Sequence, residues 1–497
     1  MNEYDVILIG GGSAGCVLAS RLTENPDMRV LLLEAGTGTA GLPEAVPVPQ
    51  AWPALGFTPA NWGETTTSGV MLPRGRGIGG SSAINAMVFA RGNRTGYDRW
   101  NAFGAKGWTF DDLLPYFQRS ETAVSAAPGR GSAGPLTVGP MDPPNEALLA
   151  CLDGAVETGQ RRARDISGGL EEGFAPVDLN IVGGRRQSAA DAYLTPVLDR
   201  PNLTVVTGAT AHRLLFEGKR CVGVEYGVGG TVHKAHAAHE VVLTAGTMGS
   251  AQLLLCSGIG PAAGLRAAGV EVFHELPGVG GNLHDHPMVL LVHRTSRPVP
   301  PSRGPHGEIQ GLIRSAAGLD GPDLQILFID VPFPNPVLPL ENGFTIGVAP
   351  MTPFSRGTLS ITSGDPYAHP VLDPAYFTDE HDMTAALAGI ATAREIGRSA
   401  AVAAWGAEEI APGPGVADAT SLAAYSRANL ISYCHPVGTC AMGEDDRSVV
   451  DSALAVHGLE ALRVADGSVI PAIPSNNTNA TVYAIAERAA DLIRGIG

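Results

Sequence analysis

Residues 5–15 read Asp5-Val6-Ile7-Leu8-Ile9-Gly10-Gly11-Gly12-Ser13-Ala14-Gly15. A short apolar, β-branched run is what a parallel strand buried on both faces needs. It passes directly into G-x-G-x-x-G at Gly10, Gly12 and Gly15, and Val17, Leu18, Ala19 and Leu22 follow at helical spacing. A second apolar run, Val30–Leu33, ends in Glu34. The first glycine permits a tight turn, the second lets the backbone approach a pyrophosphate, and the third lets helix pack closely on strand. The helix N-terminus then faces the anion. Glu34 stands where an acid holds a ribose diol. Strand, glycines, helix, strand and acid in this order predict a Rossmann-like dinucleotide site. The acid suits a ribose with free hydroxyls, as in FAD or NAD, and not NADP.

Beyond this unit, 497 residues imply two or three domains. With 44% hydrophobic and 16% charged residues the chain reads as globular. A net charge of −16 argues against nucleic-acid or anionic-membrane partners, which favour a basic face. Apolar runs such as Val30–Leu33 and Met288–Val292 fall far short of the ~18–20 residues of a membrane span. The opening MNEYDVILIG lacks a basic leader, so no signal peptide is expected. Cys16, Cys151, Cys221, Cys256, Cys434 and Cys440 are too scattered for a disulfide framework, and a reduced, cytoplasmic setting is expected.

Residues 74–85 read RGRGIGGSSAIN, by itself a glycine-rich loop with Ser81 or Ser82 capping a helix. Residues 246–260 read GTMGSAQLLLCSGIG after the strand-like Glu240–Ala245. Residues 278–287 read GVGGNLHDHP, and the C-terminal part holds LRVADGS at 462–468 and NNTNA at 476–480. Together these stretches resemble the glucose–methanol–choline (GMC) family of FAD-dependent alcohol oxidoreductases, over essentially the whole chain.

The resemblance implies an α/β (α+β) protein with two parts. Residues 1–110, 185–285 and 440–497 would form a discontinuous Rossmann-like FAD-binding domain. Residues 111–184 and 286–439 would form a substrate-binding domain, a mostly antiparallel sheet with helices that roofs the flavin. Asn202–Thr207, Cys221–Tyr226 and Thr358–Thr362 read as strands, the last in the substrate domain, and Asp382–Arg398 as a helix. Leu42–Pro59, Pro298–Gly307 and Pro332–Pro339 read as long loops. Some family members tether FAD through a histidine at the position that is Ile84 here, so FAD is expected to bind non-covalently. Ala251 stands where the family usually has proline.

The segment Tyr433-Cys434-His435-Pro436-Val437-Gly438-Thr439-Cys440 poses its own question. A zinc site wants four ligands in regular pairs, and a thiol nucleophile needs a base and a lowered pKa. The spacing of Cys434 and Cys440 suits neither, and no metal is expected. The resemblance makes His435 the catalytic base, with Asn479 facing it across the flavin. Read locally, Asn479 is a cap for the amphipathic helix beginning there. His435 would take the hydroxyl proton of a primary alcohol, benzylic or otherwise bulky, while hydride passes to flavin N5. O2 or another redox acceptor would reoxidise the flavin. The family pattern places Ser13 and Ala14, with Gly10, Gly12 and Gly15, at the pyrophosphate. It places Glu34 and Ala35 at the ribose, and Trp62, Gly80, Asn85 and Met87 along the flavin. Ala211 would meet adenine, and Asp466 and Gly467 the ribityl–phosphate. Cys434, Phe328, Asp330, Phe333 and Phe344 are candidate pocket residues, with Asp330 the candidate counter-charge for a choline-type cation. A non-redox lyase of the hydroxynitrile type and a redox-inert flavoprotein remain alternatives.

Overall fold

The computed structural model describes residues 4–125, 127–333 and 342–495. Tyr4–Ile9 pairs in parallel with Val30–Glu34 on one side and with the C-terminal half of the long strand Thr231–Leu243 on the other. Leu203–Thr207 extends the sheet beyond Val30–Glu34, and Leu462–Val464 extends it beyond Thr231–Leu243, both in parallel. This is the Rossmann order, and its switch point, where ligands bind, lies between Tyr4–Ile9 and Thr231–Leu243. The N-terminal half of the long strand turns away to form an antiparallel ribbon with Arg220–Val228 and Ala209–Glu217.

The glycine turn is compelled by contact. A Cβ on Gly15 would stand 1.9 Å from the Gly10 carbonyl oxygen, so helix Ser13–Leu22 sits on its strand only if that residue is glycine. Gly80 has φ +52° and would place a Cβ 2.6 Å from the Gly12 Cα, so the 74–85 loop meets the turn backbone to backbone. No helix follows that loop. Gly80–Ala83 is a single 3-10 turn, in which Ser82 Oγ donates to Gly79 O and accepts from Ala189 N.

A second, antiparallel sheet runs in the order Glu408–Ala411, Pro287–Arg294, Gly343–Pro350, Leu324–Ile329, Ile309–Ile313, Gly173–Pro176. Alternation along Leu324–Ile329 splits its faces. Leu324, Ile326 and Phe328 pack against helices Glu146–Glu157 and Glu380–Gly397, while Leu327 and Ile329 form a smaller apolar cluster on the other face. The strand expected at Thr358–Thr362 is a short ribbon, Thr358–Ser360 with Val371–Asp373. It buries Leu359 and Leu372 in the core of the first sheet, not in the second. Of the expected loop Pro332–Pro339, the part beyond Phe333 lies outside the described residues.

Buried charge ties distant segments together. Glu121 is fully buried between Arg91 at 2.6 Å and Arg130 at 2.8 Å, and Arg130 also reaches Asp178 and Asp165. Glu487, on the last helix (Asn479–Arg494), is likewise buried and receives Arg21, Arg119 and the Tyr193 hydroxyl. Among the described residues no helix is long and apolar enough to cross a membrane.

Candidate active site

An elongated cavity of about 390 Å³ runs between the two sheets. Glu34, Ala35, Ala211 and His212 line it, as do Gly10, Gly12, Ser13 and Ala14, then Trp62, Gly80 and Asn85, and finally Cys434, His435 and Asn477. Glu34 accepts from the backbone N–H groups of Gly11 (2.8 Å), Gly36 (2.7 Å) and Gly77 (2.9 Å). A carboxylate has about four lone-pair sites, which leaves one for a ligand hydroxyl. Asp466 is saturated instead: it accepts from Gly246 N, Ser250 Oγ, Ser468 N and Ser468 Oγ. Its carboxylate therefore has no free acceptor for the ribityl–phosphate, and its work is to position the backbone of Gly467, which lines the cavity. Burial raises its pKa against those four bonds. Asn85 faces the cavity while its Oδ1 accepts from Met87 N and Arg186 Nη1. Met87 itself is fully buried behind Asn85, away from the cavity, and Gly15 lies beneath the turn. The guanidinium groups of Arg74 and Arg76 lie over the Trp62 ring, 4.6 and 5.1 Å from its centroid.

At the far end the geometry departs from expectation. Asn479 does not meet His435. Its Oδ1 accepts from Ser13 Oγ at 2.9 Å, because the helix Asn479–Arg494 has already begun and turns this residue toward the glycine turn. The residue facing His435 is Asn477, with Nδ2 3.0 Å from His435 Nε2. Asn479 also does not cap the helix; Thr478 holds that position, without a side-chain cap bond. Two pocket candidates are likewise displaced by strand alternation. Phe328 is buried on the helix side, stacked on Phe174 at 5.7 Å, and Asp330 is buried against His306 Nδ1 (2.8 Å) and Asn145 Nδ2 (3.0 Å). Phe344 stacks on His293, again away from the cavity. Phe333 and Cys434 do line it.

The residues that sequence reading passed over are His284, Asp285 and His286, inside the quoted GVGGNLHDHP stretch. His284 Nε2 accepts from Ile473 N, fixing the segment that leads to Asn477. Asp285 Oδ1 accepts from His435 N at 2.8 Å, and its Oδ2 accepts from Ser432 Oγ and Tyr376 Oη, both at 2.5 Å. The chain winds around this carboxylate and enters the left-handed region at Cys434, φ +63°. His286 Nδ1 lies 3.0 Å from His435 Nδ1, and its Nε2 lies 3.1 Å from Met351 O.

That last pair fixes the proton positions. Burial holds both rings neutral: it pushes His286 down to about 3, and burial followed by the neighbouring His286 holds His435 well below the usual imidazole value. A carbonyl only accepts, so His286 Nε2 carries its one proton and its Nδ1 is bare. His435 Nδ1 must then donate to it, and the unprotonated His435 Nε2 accepts from Asn477 Nδ2. A lone pair next to an N–H donor complements an alcohol, which donates one hydrogen and accepts another. Desolvation by the surrounding protein pushes the Tyr433 and Cys434 groups upward, the thiol to about 12 although Cys434 itself is exposed to the cavity, so Cys434 stays a neutral thiol. All six cysteines are free, and among the described residues no cluster could hold a metal ion.

The chain matches the GMC oxidoreductase family models over residues 4–288 and 353–486. It is similar to mitochondrial choline dehydrogenase of Homo sapiens, 38% identical over 99% of this chain and 90% of that protein. It is also similar to oxygen-dependent choline dehydrogenase of Serratia proteamaculans, 39% identical over 99% and 96%. Among solved structures, pyridoxine 4-oxidase from Mesorbium loti superposes with a TM-score of 0.93 at 34% identity, covering 98% of each chain. A fungal aryl-alcohol oxidase superposes with a TM-score of 0.86 at 26% identity, covering 99% of each.

Proposed function

The chain belongs to the GMC oxidoreductase family, and on that premise we propose that it oxidises a primary alcohol to the aldehyde with FAD, using His435 as base and Asn477 as its partner. The observation that carries this reading is the unprotonated His435 Nε2 accepting from the Asn477 amide inside the cavity, a bond that an alcohol can replace by donating to one partner and accepting from the other. The remaining cavity fits FAD: a glycine turn at a helix N-terminus for the pyrophosphate, and one free acceptor on Glu34 for a ribose. Bound FAD would supply the hydride acceptor. Ile84 lines the cavity where a tether would attach, which supports non-covalent binding.

The chain's own part of the reaction follows from the tautomer. An alcohol oxygen between the two side chains donates its proton to His435 Nε2 and accepts from Asn477 Nδ2. As the proton leaves, negative charge gathers on that oxygen, and the Asn477 N–H bond strengthens with it. His286 and Asp285 hold the ring and backbone of His435, so the base does not reorganise during the step. O2 or another redox acceptor completes the cycle. The free cysteines support a reducing, cytoplasmic compartment. The reading is tested by mixing the yellow holoenzyme anaerobically with a panel of alcohols. Wild type should bleach. Asn477→Ala should retain FAD but bleach at least tenfold more slowly, and an Asn477→Ala enzyme as fast as wild type would refute the assignment.

A further inference from the structure

The alcohol end of the cavity discriminates between substrates, a selectivity that rests on the oxidoreductase reading of the same site. Beside His435, the lining is Met288, Leu327, Ile329, Phe333, Ile431 and Tyr433. Their placement comes from alternation: Leu327 and Ile329 share one strand face, and Met288 lies two residues from His286 on the same side of its strand. The acids among the described lining residues are Glu34 and Asp466, and both belong to the Rossmann half, held by backbone and serine donors. Asp330 is turned to the opposite side and bonded to His306 and Asn145.

A quaternary ammonium group carried into this end would lose its hydration with no carboxylate among the described lining residues to meet it, which is costly. An aromatic cage needs several open ring faces. Among the described lining aromatics, Tyr433 packs its ring on His435, with centroids 4.3 Å apart, and Trp62 already carries the cationic Arg74 and Arg76 over its ring, which leaves Phe333 and Trp52 and no enclosing cage. An uncharged carbon body loses nothing by entering and removes apolar surface from water.

We infer that the substrate is an uncharged primary alcohol with an apolar body, a benzylic or alkyl CH2OH compound, and that this pocket rejects choline-type cations although curated relatives at 38–39% identity are choline dehydrogenases. The chemistry balances for such a substrate. The O–H proton passes to His435 and the C=O bond forms as the C–H hydrogen leaves with both its electrons, a hydride that bound FAD would accept.

The test uses holoenzyme and reads binding, not turnover. Titration of the bound flavin's absorbance with benzaldehyde and with (2-methoxyethyl)trimethylammonium compares a neutral ring with a quaternary cation, both lacking the reacting hydroxyl. Benzaldehyde should bind at least tenfold more tightly; equal or tighter binding of the quaternary ether overturns the inference. Met288→Glu, placing an acid beside His435, should shift the ratio at least tenfold toward the cation, and an unchanged ratio in folded, FAD-loaded protein also counts against it. Benzyl alcohol is then added anaerobically. Holoenzyme that prefers benzaldehyde yet is not reduced keeps the pocket assignment and sinks the oxidoreductase reading instead.

Discussion

Replacing His286 should slow catalysis although His286 never touches the substrate. His435 Nδ1 donates to His286 Nδ1 at 3.0 Å, and the His435 side chain is buried. His286→Phe leaves that N–H without an acceptor, at a cost of about 1–3 kcal/mol for a buried unsatisfied donor. The ring escapes the cost by moving its proton to Nε2, where it can no longer accept from an alcohol. The working tautomer is thus disfavoured by the same amount, which at about 1.36 kcal/mol per tenfold is a loss of about 5- to 150-fold in flavin reduction. His286→Asn can place an amide oxygen near the old Nδ1 position and should recover most of the rate. The assay is anaerobic stopped-flow bleaching by benzyl alcohol, with FAD content and benzaldehyde affinity measured alongside. A Phe variant within twofold of wild type, or an Asn variant as slow as the Phe variant, would refute the argument.

The lowered pKa of His435 sets the pH response: the base stays unprotonated to lower pH than free imidazole, so kcat/KM should remain flat from pH 8 down through 6.5. A loss of activity with its midpoint at or above 6.5 would contradict it. The same burial affects stability, because His286 (about 3) and His293 (about 4) bind their protons less readily folded than unfolded, where the value is about 6.5. The unfolded chain therefore binds more protons, and each ring should withdraw about 1.4 kcal/mol per pH unit as pH falls from about 6 toward 4. Melting temperatures across that range, compared between wild type and His293→Phe, report the slope. Glu121→Ala should cost about 3–5 kcal/mol, since it strips the buried Arg91 of its carboxylate, and denaturant unfolding showing less than 1 kcal/mol would be the contrary result.

How much of the fold and site was legible depended on how local each constraint is. The glycine turn was readable because the close approach of Gly15 to the Gly10 carbonyl is enforced within a few residues. His435 stood out from its motif. Its partner did not, because Asn477 and Asn479 differ only in where the last helix starts, and that start is set by packing. Phe328 and Asp330 were misassigned for a related reason. Every residue of Leu324–Ile329 is buried, so no polar alternation marks the face that looks toward the cavity. The GVGGNLHDHP stretch was visible as a motif, but the roles of Asp285 and His286 appear only when residues about 150 positions away return to meet them.

The bond between Ser13 and Asn479 spans 466 residues of chain. A ribosome adding about 5–20 residues per second needs about 25–90 s to travel from one to the other. Through that interval the apolar strands Tyr4–Ile9 and Val30–Glu34 have been made, but the helix and strand that complete their site have not. A closed nucleotide site therefore waits for the synthesis of Asn479, and nascent chains stalled before Asn477 should emerge with an open nucleotide cleft.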